Sequence, residues 1–172
     1  MRRNIIAGNW KMNMLPNEAI SFIEEIEPMV KDTKNEVIIC VPFTDFFYAN
    51  NMAQGTNIQV GVQNMHYEDK GAYTGEISAP MLKSVGVEYV IIGHSERRQY
   101  FNETDETVNK KVKKALEYGL TPIVCVGETL EEKEAGKTIE IITSQIEKGL
   151  VDLKASDLDK IVIAYEPISA IG

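Results

Sequence analysis

The sequence predicts an α/β protein in which parallel strands alternate with helices. Short runs of β-branched residues recur along the chain, and they are apolar almost without interruption, as strands covered on both faces are. Between them lie amphipathic patterns long enough to serve as helical crossovers between parallel strands. The six runs lie at 4–9, 36–41, 57–63, 88–94, 122–128 and 160–166.

The helical patterns have recognisable ends. The first, "PNEAISFIEEIEPMVK", opens with a proline in the first turn and repeats isoleucine at helical spacing. In "TDFFYANNMAQG" we predict Thr44 as the cap and Gly55 as the stop. In "TDETVNKKVKKALEYG" Thr104 can cap, but Thr107 stands where a capping box would have Glu or Gln, so the box is predicted to be incomplete. Gly119 ends that helix, and "GKTIEIITSQIEKGL" supplies the next.

Composition limits the class of protein. The 172 residues are 44% hydrophobic and 26% charged, and no linker divides them, so we expect residues 1–172 to form a single domain. A formal charge of −8 argues against nucleic acid as a partner. No apolar run approaches the roughly 20 residues that cross a bilayer, and the N-terminus does not resemble a signal peptide. Cys40 and Cys125 lie in apolar runs, which predicts buried free thiols and a cytoplasmic location.

The pattern alone leaves a doubly wound sheet and a barrel open, and the strand ends favour the barrel. In a (β/α)8 barrel the carboxyl ends of the strands meet on one face and build the active site there. Polar residues stand at or just beyond the ends of the runs: Asn9, Lys11, Gln63, His94, Glu128 and Glu166.

Several of these residues could carry chemistry. If the backbone is extended, Asn9 and Lys11 share one side of it, and an amide beside a cation suits an anionic substrate with a carbonyl group. His94 precedes "SERR", where we predict that Ser95 caps a short helix beginning at Glu96. That helix terminus disfavours the imidazolium ion and leaves a neutral ring that can donate a hydrogen bond. The ordinary alternatives are a solvated lysine and a structural histidine.

Glu166 follows an apolar strand and precedes Pro167. Desolvation under a closing lid would raise the pKa of such a carboxylate and make it a stronger base. The alternative is a strand-end acid that pairs with an arginine. Glu128 is interpreted as orienting a neighbour, and Glu96 as pairing with Lys11 or Arg97. The lysine-rich run at 110–114 is interpreted as a solvated helix face. The spacing of the histidines and cysteines matches no metal motif, so we expect neither a metal nor a cofactor.

Taken together, "AGNWKMN", "GVQNMHYEDKGAYTGEISAPML", "GHSERR", "CVGET" and "AYEPI" resemble the triosephosphate isomerase family, in register over the whole chain. The resemblance implies a TIM (β/α)8 barrel, of which this chain holds about the first six βα units. It also implies the interconversion of dihydroxyacetone phosphate and D-glyceraldehyde 3-phosphate through an enediolate, in glycolysis and gluconeogenesis, without a cofactor.

The resemblance assigns a role to each motif residue. Glu166 matches the base and His94 the group that polarises the carbonyl; the family is itself the worked case of this pairing. Lys11 and Asn9 match the electrostatic partners of the substrate, and Glu96 matches the acid that positions Lys11.

Further matches concern the lid and the dimer. Gly172 matches a lid residue whose amide binds phosphate, and Ser169 stands where the family has a tryptophan. The resemblance also implies a homodimer, formed by a loop that enters the partner subunit. The residues that match the loop tip and the position packed beneath it are Met14, Tyr73, Thr74 and Gly75.

The chain ends after the sixth predicted strand, whereas the family that it resembles has eight βα units. We therefore expect a remnant cut in the lid, one piece of a split protein, or a deliberate fragment, inactive or weak until the missing strands are supplied. Two other functions stay open on the sequence alone. One is another sugar-phosphate barrel enzyme such as an epimerase, and the other is an inactive assembly fragment of the same barrel.

Overall fold

The computed structural model describes residues 4–168. It contains six parallel strands and eight helices within that range. The strands are β1 Ile5–Asn9, β2 Glu36–Val41, β3 Ile58–Val62, β4 Tyr89–Ile92, β5 Thr121–Val126 and β6 Val162–Tyr165. The helices are α1 Pro16–Val30, α2 Phe43–Ala53, α3 Ala79–Ser84, α4 Ser95–Tyr100, α5 Asp105–Glu117, α6 Leu130–Glu134, α7 Thr138–Gly149 and α8 Ala155–Leu158.

The strands lie in the sheet in the order in which they occur in the chain, β1 to β6. A doubly wound sheet would reverse that order at a switch point. Sequential parallel pairing is instead the arrangement of a TIM barrel, and the six strands form part of one. Within the described residues β1 pairs only with β2 and β6 only with β5, so the partial barrel is open between these two strands.

The sheet is covered on both faces, as the uninterrupted apolar runs predicted. Alternate residues of β2 show this: Val37, Ile39 and Val41 pack in the layer between strands and helices. Ile38 and Cys40 lie in the smaller inner layer. At the two edges the helix-side face is less covered, and there Ile6 is 60% exposed.

The prediction of buried free thiols is confirmed for Cys40 and Cys125. Burial raises the pKa of the Cys40 thiol to about 12. None of the helices in the described residues has both the length and the apolar character that a bilayer crossing requires.

Two cap predictions on the longer helices were wrong. Helix α2 begins at Phe43 after Pro42, so Thr44 lies inside the helix and is not its cap. The capping box of α5 is complete: Thr107 Oγ1 accepts from the Thr104 amide at 2.9 Å, and Thr104 Oγ1 accepts from the Thr107 amide at 3.2 Å. The Thr107 hydroxyl oxygen therefore accepts the hydrogen bond that a glutamate carboxylate accepts in the usual capping box.

The sequence analysis also missed three helices, α3, α6 and α8. They have six, five and four residues, which is too short for a helical repeat to be recognised.

Candidate active site

A cavity of about 340 Å³ opens at the carboxyl ends of the strands. Its lining includes Asn9, Lys11, Gln63, His94 and Glu96, which come from the ends of three different strands and from α4. Glu166 does not line this cavity, but its carboxylate touches the His94 ring at the cavity wall. The predicted residues therefore meet at one rim of the partial barrel.

Asn9 and Lys11 come together differently from the prediction. Strand β1 ends at Asn9, and Lys11 has a φ of +54°, so the backbone is not extended between them. The Lys11 amide donates to Asn9 Oδ1 at 2.9 Å and closes a tight turn. The Lys11 Nζ lies 3.0 Å from Glu96 Oε1, so Glu96 pairs with Lys11, one of the two partners expected for it.

His94 caps α4 itself, and the predicted Ser95 cap was wrong. Ser95 is the first residue of the helix, while His94 Nδ1 accepts from the Glu96 amide at 3.2 Å. A neutral imidazole that accepts at Nδ1 carries its proton on Nε2. The His94 Nε2 lies 3.2 Å from Glu166 Oε2, and the ring is 6% exposed. The local fold thus determines which nitrogen of the ring can donate toward the reaction centre.

Glu166 stands immediately after β6, where its amide donates to the Val126 carbonyl at 2.8 Å. Its Oε2 is buried, and within the described residues it accepts no hydrogen bond of good geometry. That oxygen is therefore available to accept a proton.

The pKa of Glu166 is lowered in this structure, and the raised pKa expected under a closed lid stays a prediction. The His94 ring beside the carboxylate lowers the pKa of Glu166, burial acts to raise it, and the charge of Lys11 lowers it further. Because the side chain is still 36% exposed, desolvation is too weak here to dominate.

Glu128 orients its neighbours, as interpreted from the sequence. Its Oε1 accepts from the hydroxyls of Thr138 and Tyr165, each at 3.1 Å. Burial acts to raise the pKa of Glu128, but its own backbone amide and the two hydroxyls lower it by more. The Glu128 carbonyl also accepts from the Ile168 amide at 2.9 Å, which ties down the chain just after Glu166.

The interpretation of residues 110–114 as a solvated face was wrong for Lys111, which is 6% exposed. Its Nζ lies 2.9 Å from Glu103 Oε2 and 2.9 Å from Asn64 Oδ1, next to the cavity. Desolvation lowers the pKa of Lys111, and the Glu103 carboxylate acts against it. The helical repeat could have predicted this burial, because Lys111 lies three residues after Val108 and four before Ala115 and therefore shares their buried face of α5.

The remaining predictions concern loops. Tyr73, Thr74 and Gly75 are exposed, and Met14 is half-buried with a φ of +77°. Ser169 and Gly172 lie outside the described residues.

A sequentially ordered parallel sheet, with a glutamate, a histidine and a lysine gathered at its carboxyl rim, defines the class of α/β-barrel enzymes that move protons by acid–base chemistry. A family model of triosephosphate isomerase matches residues 4–172. The chain belongs to the triosephosphate isomerase family.

Individual relatives agree with this membership. The triosephosphate isomerase of Thermoanaerobacter pseudethanolicus is 59% identical over 172 residues, which are 100% of this chain and 69% of that relative. The triosephosphate isomerase of Clostridium botulinum is 57% identical over the same shares. The crystal structure of triosephosphate isomerase from Bartonella henselae has a TM-score of 0.89 at 44% identity, and the match covers 97% of this chain and 69% of that chain.

Proposed function

We propose that this protein interconverts dihydroxyacetone phosphate and D-glyceraldehyde 3-phosphate, with Glu166 as the base and His94 as the hydrogen-bond donor to the substrate oxygens. The observation that carries the proposal is the contact between His94 Nε2 and Glu166 Oε2, at 3.2 Å. It sets a proton acceptor beside a ring whose donor nitrogen is determined by the helix cap.

The chemistry conserves atoms and electrons. Glu166 removes a proton from carbon 1 of the ketose, and the electron pair of that C–H bond forms the carbon–carbon double bond of an enediolate. The carbonyl oxygen receives the displaced pair while His94 Nε2–H donates to it. The hydroxyl proton on carbon 1 is transferred to the oxygen on carbon 2, with His94 Nε2 as the relay, and Glu166 returns its proton to carbon 2. Carbon 1 then carries the aldehyde carbonyl, so no external oxidant or reductant takes part.

Lys11 and Asn9 supply the electrostatic part of the proposal. The Lys11 ammonium faces the cavity, where it can stabilise the phosphate and the enediolate, and Asn9 contributes an amide at the same wall. Glu96 holds the ammonium at 3.0 Å and so limits its motion. We assign a further phosphate contact to Gly172, on the family resemblance alone.

The direct test replaces Glu166 by Gln in the protein expressed from its complete coding sequence. An amide cannot accept the proton, so kcat should fall by about 10²–10⁴ while KM changes little. The matched control is Glu147→Gln on α7, an exposed glutamate remote from the rim, which should leave turnover within about twofold. Wild-type turnover in the Glu166→Gln variant would remove Glu166 from the mechanism.

We also infer a cytoplasmic homodimer. The support is that Tyr73 and Met12 are exposed and that an apolar groove of about 230 Å³ lies between α2 and α3. Phe47 and Met81, on the groove wall, are 62% and 52% exposed. An apolar groove with large exposed side chains on its wall fits a protein partner better than water.

A further inference from the structure

Gln63 connects three strand ends. It stands one residue beyond β3, and its Nε2 lies 2.9 Å from the Lys11 carbonyl oxygen. The same nitrogen lies 3.2 Å from Asn9 Oδ1 and 3.2 Å from the Cys40 carbonyl oxygen. One amide group thus donates toward acceptors at the ends of both β1 and β2.

The backbone of Lys11 needs such support. A φ of +54° places an L-residue in the left-handed region, which persists only where the surroundings determine it. On one side the Lys11 amide donates to Asn9 Oδ1, and on the other its carbonyl accepts from Gln63. Asn9 Oδ1 accepts from both groups, so Gln63 and the turn at 9–11 form one hydrogen-bonded unit.

This hydrogen-bonded unit orients the side chains of Lys11 and Asn9 toward the cavity. The direction of the Lys11 side chain follows from its unusual φ, and it ends with Nζ at 3.0 Å from Glu96. The Asn9 side chain is held by the same bonds at the cavity wall. A backbone relaxed toward negative φ would redirect the ammonium, and small misplacements at a reaction centre have large effects on rate.

We propose that Gln63 is a positioning residue of the isomerase reaction, which acts by holding Lys11 in its left-handed conformation and Asn9 at the wall. This inference rests on the proposed function. Gln63 is not required to touch the reacting atoms. The competing explanation is a structural one, in which Gln63 only joins strand ends and contributes to stability.

The first test uses Gln63→Met, which keeps the length of the side chain and removes both donors. Measured on the protein from its complete coding sequence, kcat/KM should fall about 10- to 100-fold. The control Gln59→Met changes a half-buried glutamine of β3 away from the rim and should stay within about twofold. Full activity of Gln63→Met beside an active wild type would overturn the inference.

The second test separates positioning from stability. In a Lys11→Met background, Gln63→Met should cost much less than it does alone, because the side chain that it positions is gone. A purely structural role predicts equal fold-losses in both backgrounds. Gln63→Glu adds a pH readout: its ionised form cannot donate and its protonated form can, so its kcat/KM relative to wild type should rise as pH falls. A flat ratio would contradict the proposal.

A third measurement does not depend on turnover. With ¹³C-labelled lysine, the Lys11 Cα and Cβ shifts report its backbone conformation, and they should move away from left-handed values in Gln63→Met. If these shifts stay unchanged, Gln63 does not hold Lys11, whatever the activity. If the shifts move but the wild type shows no isomerase activity, the proposed function fails while the positioning contact stands.

Discussion

At the scale of single residues, the site depends on the placement of one proton. His94 accepts at Nδ1 from the amide of α4, so its donor nitrogen faces Glu166. The glutamate in turn is held ionised by the ring and by Lys11, which lower its pKa. The resting site is therefore a deprotonated base beside a ring that is ready to donate, the combination that proton transfer at a carbonyl compound needs.

The pKa shift leads to a prediction for the acid side of the titration. The Glu166 carboxyl should titrate below 4.5, the ordinary value for a glutamate. A carboxyl whose folded pKa lies below its unfolded value stabilises the fold above the unfolded pKa, and this contribution is lost as pH falls through the folded pKa. ¹³C NMR of labelled glutamate measures the midpoint, with Glu166→Gln to assign the signal. His94→Gln should raise the midpoint, and a wild-type midpoint above 4.5 would contradict the assignment.

At the scale of elements, the loop after β5 positions the loop after β6. A Cβ on Gly127 would overlap the carbonyl oxygen of Glu166 and lie 2.7 Å from its carbonyl carbon. Only glycine therefore lets the two strand ends approach as they do. The Gln145 side chain closes the same region, because it accepts from the Gly127 amide at 2.9 Å and donates to the Gly127 carbonyl at 3.1 Å.

Gly127→Ala should displace Glu166 from His94 and reduce kcat/KM by about a hundredfold, since the clash is with backbone that cannot rotate away. The control is Gly149→Ala at the end of α7, where a Cβ would meet Val108 at an ordinary 3.5 Å. Steady-state kinetics and thermal unfolding of both variants test this prediction. Unchanged kinetics in Gly127→Ala would show that the strand ends can separate without effect.

At the scale of the whole molecule, the two outer strands of the described sheet bear on association with another chain. β1 and β6 each have one unpaired side within the described residues, and Ile163 on β6 is 40% exposed. Unpaired apolar strand edges invite pairing with another chain. The chain spans 69% of the T. pseudethanolicus relative, so the rest of that relative is a defined candidate to cover them.

A polypeptide of residues 1–172 expressed by itself should therefore show little or no isomerase activity and a tendency to associate. Adding the part of the T. pseudethanolicus relative that lies outside the match, in trans or fused, should raise turnover by more than about a hundredfold. Coupled assays and light scattering measure the two effects. Strong turnover by the unaided polypeptide, with its mass confirmed, would contradict the prediction, and no gain on addition would favour an assembly role.

A substitution at Thr74, in the loop that is proposed to enter the partner subunit, tests the dimer proposal. Thr74→Arg places a charge on the exposed loop and should shift the protein from dimer to monomer in sedimentation experiments, because a buried unpaired charge is costly. Thr143→Arg, an exposed threonine on α7, is the matched control and should leave the mass unchanged. A Thr74→Arg variant that stays dimeric would move the interface elsewhere.

Much of this architecture can be predicted from the sequence. The alternation of strands and helices is a local property, since apolar runs and helical repeats depend on neighbours in sequence. The polar residues at the strand ends can be named for the same reason, and their gathering at one rim follows once the strands are parallel. Short helices such as α6, and capping boxes closed by a hydroxyl such as that of Thr107, cannot be predicted from the sequence, because their sequence signals are weak.

The sequence by itself determined the family, the α/β order and the residues at the rim. Only the tertiary structure decided that the His94 side chain caps α4 and that Lys111 is buried. It further decided that Lys11 has a positive φ and that its carbonyl accepts a hydrogen bond from Gln63. It also decided that the pKa of Glu166 is lowered. The physical reason is the same in each case. These properties depend on distances between groups remote in the chain, and on water excluded between them, which no local pattern of residues records.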